Sequence, residues 1–334
     1  PGKCIYGVYL DESGHVIDDA ILYRIDEKNY ITVVNSGMGG QIAAHLVKYA
    51  DDLKVEISDL TEKTGKLDIQ GPLAGKILRN VLKDPETVLE NFRFFTLKGH
   101  FDTESPLSDT VRLADGTPVL LSRTGYTGEF GFEVFMDPVH LVKTWEMILE
   151  AGKPFGLIPC GLAARDSLRT GALLPLSHQD IGSWPFIHNP WCFALPYTAD
   201  QTGFTKTFVG DQALLSVENP EYTYAFAGYD LRKISVSDGA VVLDTGEKKI
   251  GTVLTCVTDM AIGRYKDRIY SITSPDKPEN FVPKGLSCGF VKVKSKIVPG
   301  RTVYLKDNRR KIKVAIVEDI RPDRTAMRPI REMI

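Results

Sequence analysis

The stretch Ser122–Phe135, SRTGYTGEFGFEVF, joins a polar, glycine-rich turn to a run that alternates like a β-strand. Successive strand residues point to opposite faces, so Glu133 shares a face with Phe135, while Phe132 and Val134 take the other. Both faces carry large apolar side chains, so neither face is expected to be fully solvated, and the carboxylate on one of them needs an explanation. The alternatives for that carboxylate are a position at the wet rim of the strand or a pairing with a structural arginine.

A carboxylate in such a strand suits the recognition of a flat ligand. Its two oxygens accept two parallel N–H bonds, and a heterocycle with an amidine-like edge presents two such donors side by side. Pterins are examples of these heterocycles. The residues alone therefore make Glu133 a candidate binding residue for this class of ligand.

The composition is that of an ordinary globular protein. The 334 residues suffice for roughly two or three domains, with 43% hydrophobic and 25% charged residues. A net charge of −2 and the lack of a long apolar run predict a protein that binds neither nucleic acid nor membranes. The five scattered cysteines form no CxxC or zinc-type pattern and no signal peptide opens the chain, so we expect a reduced, cytoplasmic protein without a metal site. P-loop, GxGxxG and HExxH motifs are absent from the sequence.

The periodicity predicts an α+β part followed by an all-β module. Strand patterns occur at residues 4–35, 66–71 and 131–135. Amphipathic helix patterns occur at residues 38–50, 73–82, 138–152 and 161–171. A DG turn within residues 109–123 predicts a hairpin, and the strand-rich chain after about residue 206 favours a small barrel or sandwich.

Two adjacent aspartates lie in GHVIDDAILYRI, residues 14–25. Alternation puts Asp19 on one apolar face of the predicted strand and Asp18 on the other. A carboxylate among isoleucines has a raised pKa unless hydrogen bonds stabilise it. Either aspartate is thus a candidate proton acceptor or electrostatic partner for a developing cation, and a strand-end aspartate that caps a turn is the alternative.

Arginines are the other charged candidates. Arg165 and Arg169 lie four positions apart on the helix predicted at residues 161–171, and Asp166 is placed to pair with Arg169. An unpaired arginine there would suit a ligand carboxylate, with a solvated helix face as the alternative. Four arginines lie near the C-terminus: Arg321, Arg324, Arg328 and Arg331. They would form a solvated tail, an anion site or a contact with a neighbouring chain.

The segment Ser177–Tyr197, SHQDIGSWPFIHNPWCFALPY, concentrates aromatic side chains in a proline-containing loop. Its aromatic residues include Trp184, Phe186, Trp191, Phe193 and Tyr197. Such a loop is either a plug in the core or the wall of a pocket. His188 within it is a candidate general acid, and a hydrogen-bonded structural histidine is the alternative.

Several of these segments together resemble the glycine-cleavage T-protein (aminomethyltransferase) family. The matching segments are GHVIDDAILYRI followed by VVN, SRTGYTGEFGFEVF, GLIPCGLAARDSLR followed by LPLSHQDI, and KTFVGDQAL. Their order and approximate spacing match the family over residues 1–215, and the combination of RTGYTGE…GFE with ARDSLR is specific. The resemblance implies a three-domain cloverleaf with tetrahydrofolate in a central hole, where a one-carbon group is transferred to folate N5.

By this resemblance the fold is α+β, with antiparallel sheets, helices and a C-terminal β-barrel. We expect residues 1–65 to be the remainder of a folate-binding domain whose N-terminal part is absent from this sequence, which begins at Pro1. Residues 66–205 would form a second folate-binding region and residues 206–334 the barrel domain.

The resemblance also implies roles for individual residues. Glu133 would bind the pterin ring. Asp19, rather than Asp18, would lie near folate N5, align it and stabilise positive charge during transfer. Further positions that the family places at the folate correspond to Asn35, Tyr6, Tyr126 and Arg165.

The sequence departs from T-protein where a donor would bind. The aromatic SWPFIHNPWCFAL, residues 183–195, replaces the family's TPLEAGL, and TCVTDMA, residues 255–261, replaces its TSGxxSP. We therefore expect a small donor of a methyl group, such as an amine, sulfonium or aryl ether, or an aminomethyl group on a lipoylated carrier protein.

An ether donor would also need a proton for its leaving oxygen. His188, His178 or a tyrosine would supply it, and Trp184 and Trp191 would line the substrate pocket. A folate-binding regulatory protein without transfer activity, or a scaffold for a lipoylated partner, are the alternatives to an enzyme.

Overall fold

The computed structural model describes residues 1–50, 53–237 and 239–334. They divide into two compact units. Unit 1 comprises Pro1–Gly7, Asp19–Cys160 and Thr325–Ile334, and unit 2 comprises Val8–Asp18 and Gly161–Arg324. The last residues, Thr325–Ile334, thus belong to the unit that contains the N-terminus. The domain boundaries expected at residues 65/66 and 205/206 stay predictions.

Two sheets contribute strands to unit 1. The strands of the first are β1 (Lys3–Leu10), β2 (Val16–Arg24) and β3 (Tyr30–Val33), in that order. Those of the second are β4 (Gly65–Gln70), β5 (Leu97–Gly99), β6 (Leu120–Ser122) and β7 (Gly131–Met136). The second sheet has the order β4-β7-β6-β5 with antiparallel neighbours, so β4 is an edge strand.

Helices cover one face of the second sheet. The helices of unit 1 are α1 (Gly39–Lys48), α2 (Ala74–Arg79), α3 (Pro85–Leu89) and α4 (Leu141–Gly152). Ile77 and Leu78 of α2 and Ile148 of α4 pack with Phe132 and Val134 of β7 in one buried cluster. Burial of such apolar side chains, each contributing about 1.5–3 kcal/mol, is what holds α2 and α4 on the sheet.

Strand β7 is buried on both faces. Phe132 and Val134 face the helices, whereas Phe135 packs edge-to-face on Tyr23 of β2 with ring centroids 5.6 Å apart. Glu133, on the face of Phe135, is only 4% exposed. The carboxylate therefore lies inside the unit and not at a wet rim.

Unit 2 contains a closed six-stranded β-barrel. The strands are β8 (Tyr222–Gly228), β9 (Val241–Leu243), β10 (Lys249–Asp259), β13 (Leu286–Val293), β14 (Thr302–Lys306) and β15 (Lys311–Val317). They close in the order β10-β13-β8-β15-β14-β9, and β11 (Ile262–Tyr265) pairs with β12 (Arg268–Ser271) in a separate ribbon. Buried residues such as Phe226, Val242, Leu305 and Val314 fill the barrel, so its interior is a packed core.

Two helices, α5 (Leu162–Gly171) and α6 (Asp211–Leu215), belong to unit 2 as well. Helix α5 ends on a glycine because its last turn approaches β10 closely. A Cβ atom on Gly171 would lie 1.9 Å from Oδ2 of Asp259. Only a residue without a side chain fits there without moving that buried carboxylate.

Most sequence predictions of local structure are confirmed. The helix patterns at residues 38–50, 73–82, 138–152 and 161–171 correspond to α1, α2, α4 and α5. The hairpin predicted within residues 109–123 is only partly correct: Leu113 and Thr117 close a turn, but β6 pairs along its length with β5 and β7. Within the described ranges, no helix is both long and apolar enough to cross a membrane.

Candidate functional site

Two of the predicted cofactor residues meet the predicted catalytic aspartate in unit 1. The Asp19 carboxylate accepts a hydrogen bond from Tyr6 Oη at 2.9 Å on Oδ2 and one from Asn35 Nδ2 at 2.8 Å on Oδ1. Tyr6 comes from β1, Asp19 from β2 and Asn35 from the loop after β3. The order of the first sheet therefore brings together three side chains that are separated in the sequence, and all three are half-buried.

The geometry distinguishes the two adjacent aspartates. Asp18 is fully buried, whereas Asp19 keeps part of its surface exposed. The donors from Tyr6 and Asn35 are neutral, so they orient the Asp19 carboxylate without cancelling its charge. An oriented, accessible carboxylate can align a reacting nitrogen and stabilise positive charge that develops on it.

Glu133 lies in a network of side chains from four strands or turns. Its Oε2 accepts hydrogen bonds from Tyr23 Oη at 2.9 Å and from Thr124 Oγ1, and Ser122 Oγ lies 2.6 Å from Thr124 Oγ1. Its Oε1 forms an ion pair with Lys66 Nζ. The pairing of β4 with β7 also puts Asp68 directly opposite Glu133.

This network keeps Glu133 ionised despite its burial. Burial alone would raise the pKa of Glu133, but the ammonium of Lys66 and the hydrogen bonds from Lys66, Thr124 and Tyr23 bring it below its ordinary value. Burial would lower the pKa of Lys66, but the carboxylates of Glu133 and Asp68 raise it above its ordinary value. The site is therefore a buried carboxylate that accepts hydrogen bonds and does not donate them at neutral pH.

The sequence did not identify the partners of Glu133. It offered a structural arginine as the alternative pairing, and the cation is Lys66 instead. Tyr23 and Thr124 were also missed as partners. The alternation of GKLDIQ in β4 gives Lys66 and Asp68 the same face, which is the one signal in the sequence that could have drawn attention to them.

The two remaining predicted cofactor residues are both accessible. Tyr126, in the turn before β7, is half-buried in unit 1. Arg165 is exposed on α5 in unit 2. Their roles at a folate remain predictions.

Arg169, which shares the helix with Arg165, is a buried structural residue. Its guanidinium is 1% exposed and pairs with Asp166 at 2.6 Å, as the spacing predicts, and with the fully buried Asp180. Asp180 Oδ1 also accepts from Thr255 Oγ1 at 2.7 Å. A solvated helix face is therefore the wrong interpretation for this arginine, which ties α5 to β10.

We expect Asp180→Ala to lower the free energy of unfolding by about 3–5 kcal/mol, because it leaves the Arg169 guanidinium buried without its innermost carboxylate. Asp166→Ala is the matched control: it removes a partner of the same arginine, but one that is 39% exposed, and should cost at most about 1 kcal/mol. Urea unfolding followed by circular dichroism measures both. Equal losses in the two variants would show that the burial of an ion pair does not determine its contribution to the free energy of unfolding.

The aromatic segment contributes chiefly to the core. Trp191 is fully buried, its ring packs edge-to-face on Phe290 with centroids 5.0 Å apart, and its Nε1 donates to the Leu173 carbonyl at 2.8 Å. A buried indole with its donor satisfied offers no face to a substrate, so the structure favours the core role for Trp191 over the pocket wall. Trp184 is half-buried, and Lys292 Nζ lies 4.1 Å from its ring centroid.

The two candidate histidines are exposed residues of unit 2, each with a left-handed backbone: φ is 63° at His178 and 49° at His188. The His188 ring stacks on Tyr222 with centroids 4.8 Å apart. Partial burial and the charge of Lys296 lower the pKa of His188. A lowered pKa makes His188 a weaker candidate for the predicted general acid, which must hold its proton until the donor reacts.

The C-terminal arginines are not a uniform solvated tail. Arg321 is 1% exposed; its Nη1 lies 3.3 Å from Asp259 Oδ2 and its Nη2 donates to the Leu168 carbonyl at 3.2 Å. Arg324 pairs with Asp319 at 2.5 Å. The structure thus assigns Arg321 to the packing of α5 against β10.

A family model described as the GCVT N-terminal domain matches residues 1–184. An aminomethyltransferase of Caldanaerobacter subterraneus subsp. tengcongensis is 34% identical over 257 residues, which are 76% of this chain and 63% of that protein. One of Halalkalibacterium halodurans is 37% identical over 180 residues, or 54% and 45% of the two chains. The chain thus spans less than two thirds of these curated relatives.

A solved structure shares the fold. The crystal structure of glycine cleavage system aminomethyltransferase T from Bartonella henselae matches with a TM-score of 0.68, over 98% of this chain and 77% of that one. The sequences are 23% identical in this comparison, so the match concerns the fold alone. It agrees with the antiparallel sheets and the closed barrel described above.

Proposed function

The chain belongs to the glycine-cleavage T-protein (GCVT) family, and we propose that it is a tetrahydrofolate-dependent one-carbon transferase. It would move a methyl or aminomethyl group from a donor to N5 of tetrahydrofolate. The observation that carries the proposal is the cluster of Tyr6, Asp19 and Asn35. The resemblance predicted each of these residues separately as a folate residue, and they lie within hydrogen-bonding distance of one another.

The side chains present have the chemistry that a pterin requires. A pterin edge carries N–H donors, and the buried Glu133 carboxylate is an acceptor. Asp19 supplies a second, accessible carboxylate with fixed orientation. The residues therefore fit the folate, and we assign Glu133 to the pterin ring and Asp19 to the region of N5.

Tetrahydrofolate would supply the nucleophilic nitrogen. The protein would contribute position and charge: Tyr6 and Asn35 hold the Asp19 carboxylate, and that fixed negative charge stabilises the positive charge that develops as the one-carbon group is transferred. Asn35 and Tyr126 would border the bound ring.

The donor class is the finer part of the proposal. The aromatic segment 183–195 favours a small methyl donor, and relatives named aminomethyltransferase favour an aminomethyl group on a lipoylated carrier protein. The lowered pKa of His188 argues against a donor whose leaving oxygen must take a proton from that residue. An aryl ether donor would therefore take the proton for its leaving oxygen from His178 or a tyrosine.

Calorimetric titration of the wild-type protein with tetrahydrofolate tests the proposal first. We expect saturable binding, and no binding of p-aminobenzoylglutamate, which lacks the pterin ring. Active donors would then be sought by the appearance of methyl- or methylene-tetrahydrofolate with dimethylglycine, dimethylsulfoniopropionate or an aminomethylated lipoyl carrier domain.

The possible results separate the hypotheses. Folate binding without turnover on any donor would favour a non-catalytic folate-binding protein. Capture of the lipoylated domain without folate binding would favour a scaffold. If the protein binds no tetrahydrofolate at all, the family fold has been kept without its ligand and the proposed activity is wrong.

A further inference from the structure

Lys66 connects the buried Glu133 to a second carboxylate at the edge of the sheet. Its Nζ forms the ion pair with Glu133 Oε1 and lies 3.5 Å from Asp68 Oδ2. Glu133 is 4% exposed, whereas the Asp68 side chain is 45% exposed. Because like charges opposite each other on paired strands repel, the lysine between them is what makes the Asp68–Glu133 pair tolerable.

The two oxygens of Glu133 differ in how firmly they are held. Oε2 accepts from the hydroxyls of Tyr23 and Thr124, both of which are buried. Oε1 meets Lys66, whose side chain is 34% exposed and has a second carboxylate within reach. An N–H donor of a ligand can therefore hydrogen-bond to Oε1 if the flexible side chain of Lys66 moves away. A further hydrogen bond to Oε2 would require the packed residues Tyr23 and Thr124 to move.

We propose that Lys66 is the displaceable counter-ion of Glu133: a ligand with N–H donors replaces the ammonium at Oε1, and Asp68 receives the released ammonium. The inference rests on the proposed function, because a pterin is the ligand that presents such donors. It makes Lys66 and Asp68 determinants of affinity and of its pH dependence.

The burial of Glu133 determines whether the ligand binds more tightly or more weakly as pH rises. Without Lys66, Glu133 would be a buried carboxylate held only by neutral hydroxyls, and burial would favour its protonated form. A ligand that donates N–H bonds favours the ionised form, so binding would then release a proton and become tighter as pH rises. With Lys66 present, the carboxylate is ionised before the ligand arrives, and binding should release no proton from it.

Other titratable groups that face Glu133 do not blur this test. Burial and the nearby Glu133 charge raise the pKa of Cys4, on β1, to about 12, and they raise that of Tyr23, on β2, well above its ordinary value. Partial burial, opposed by Lys66 and assisted by the charge of Glu133, raises the pKa of Asp68 to about 6. Of these three described neighbours, Asp68 has the pKa nearest to neutral pH, and it is tested by its own variant.

The first experiment needs no ligand. The pH titration of the Glu133 side-chain carboxyl is followed by carbon-13 NMR, with the signal assigned from its loss in Glu133→Gln. We expect a midpoint below the ordinary value of about 4.3 in the wild type and above it in Lys66→Met, with Lys66→Arg restoring the wild-type curve. Unchanged titration in Lys66→Met would overturn the counter-ion role, whatever the protein binds.

The second experiment uses tetrahydrofolate as the probe. At about pH 8, where Asp68 with its pKa of about 6 is already ionised, calorimetry in buffers of different ionisation enthalpy should show no proton release for the wild type and up to about one proton for Lys66→Met. In Lys66→Met, the affinity for tetrahydrofolate should fall about tenfold for each pH unit below the raised pKa of Glu133. Lys76→Met, an exposed lysine on α2 of the same unit, is the matched control and should behave like the wild type.

Asp68→Asn tests the second half of the inference. It removes the group that receives the ammonium but leaves Lys66 on Glu133, so binding should weaken about tenfold without proton release. Unaltered affinity in Asp68→Asn would overturn the transfer to Asp68. If the wild type itself bound no tetrahydrofolate, the proposed function would fail, and the NMR titration would still decide the role of Lys66.

Discussion

Replacing Asp19 with asparagine is expected to lower kcat about 10²–10³-fold, the usual loss when one preorganised electrostatic group is removed from a transition state. Asparagine keeps the shape of the side chain and can still accept a hydrogen bond, so the position of Tyr6 should persist. Only the negative charge is lost, and KM and the folate dissociation constant should change little. Steady-state turnover with the active donor, together with calorimetric titration of tetrahydrofolate, measures the two effects separately.

Two further variants control this result. Tyr6→Phe removes one of the donors to Asp19 and should reduce turnover by about tenfold, since hydrogen bonds to a charged group are worth about 1.5–3 kcal/mol. Asp18→Asn tests the adjacent, fully buried carboxylate and should lower stability rather than the turnover of folded protein. If Asp18→Asn abolished turnover while Asp19→Asn did not, the two aspartates would have been assigned the wrong way round.

Local patterns predicted local structure well. Alternation in β7 correctly put Phe132 and Val134 on one face and Glu133 with Phe135 on the other, because strand periodicity depends only on the backbone. The same periodicity separated Asp18 from Asp19. The family resemblance, not the periodicity, singled out Asp19 and Asn35, each on its own.

Long-range pairings could not be read from the sequence. The register that puts Asp68 opposite Glu133 joins strands with the whole of α2, α3, β5 and β6 between them, and no local signal specifies it. The same limit explains Trp191 and Arg321, whose partners Phe290 and Asp259 lie far away along the chain. A segment rich in aromatic residues or arginines indicates that these side chains need partners. It does not indicate which residues those partners are.

Glu133→Gln is expected to weaken tetrahydrofolate binding about a hundredfold, because a buried charge-assisted acceptor contributes about 2–5 kcal/mol and each 1.4 kcal/mol is a factor of ten. The glutamine amide keeps the volume of the side chain but presents an N–H group where the ligand also donates. It also leaves Lys66 without its buried partner, so a moderate loss of thermal stability should accompany the loss of binding.

Glu129→Gln is the matched control for this prediction. It lies in the same turn-and-strand segment, is half-buried, and accepts a hydrogen bond from Thr325 Oγ1 at 2.5 Å. Because Glu129 is not assigned to the ligand, its substitution should leave the dissociation constant within about twofold of wild type. Weaker binding in Glu133→Gln alone would assign the pterin to Glu133. Equal weakening in both variants would mean that the segment acts through folding, and wild-type affinity in Glu133→Gln would leave the buried carboxylate as a structural partner of Lys66 and Tyr23.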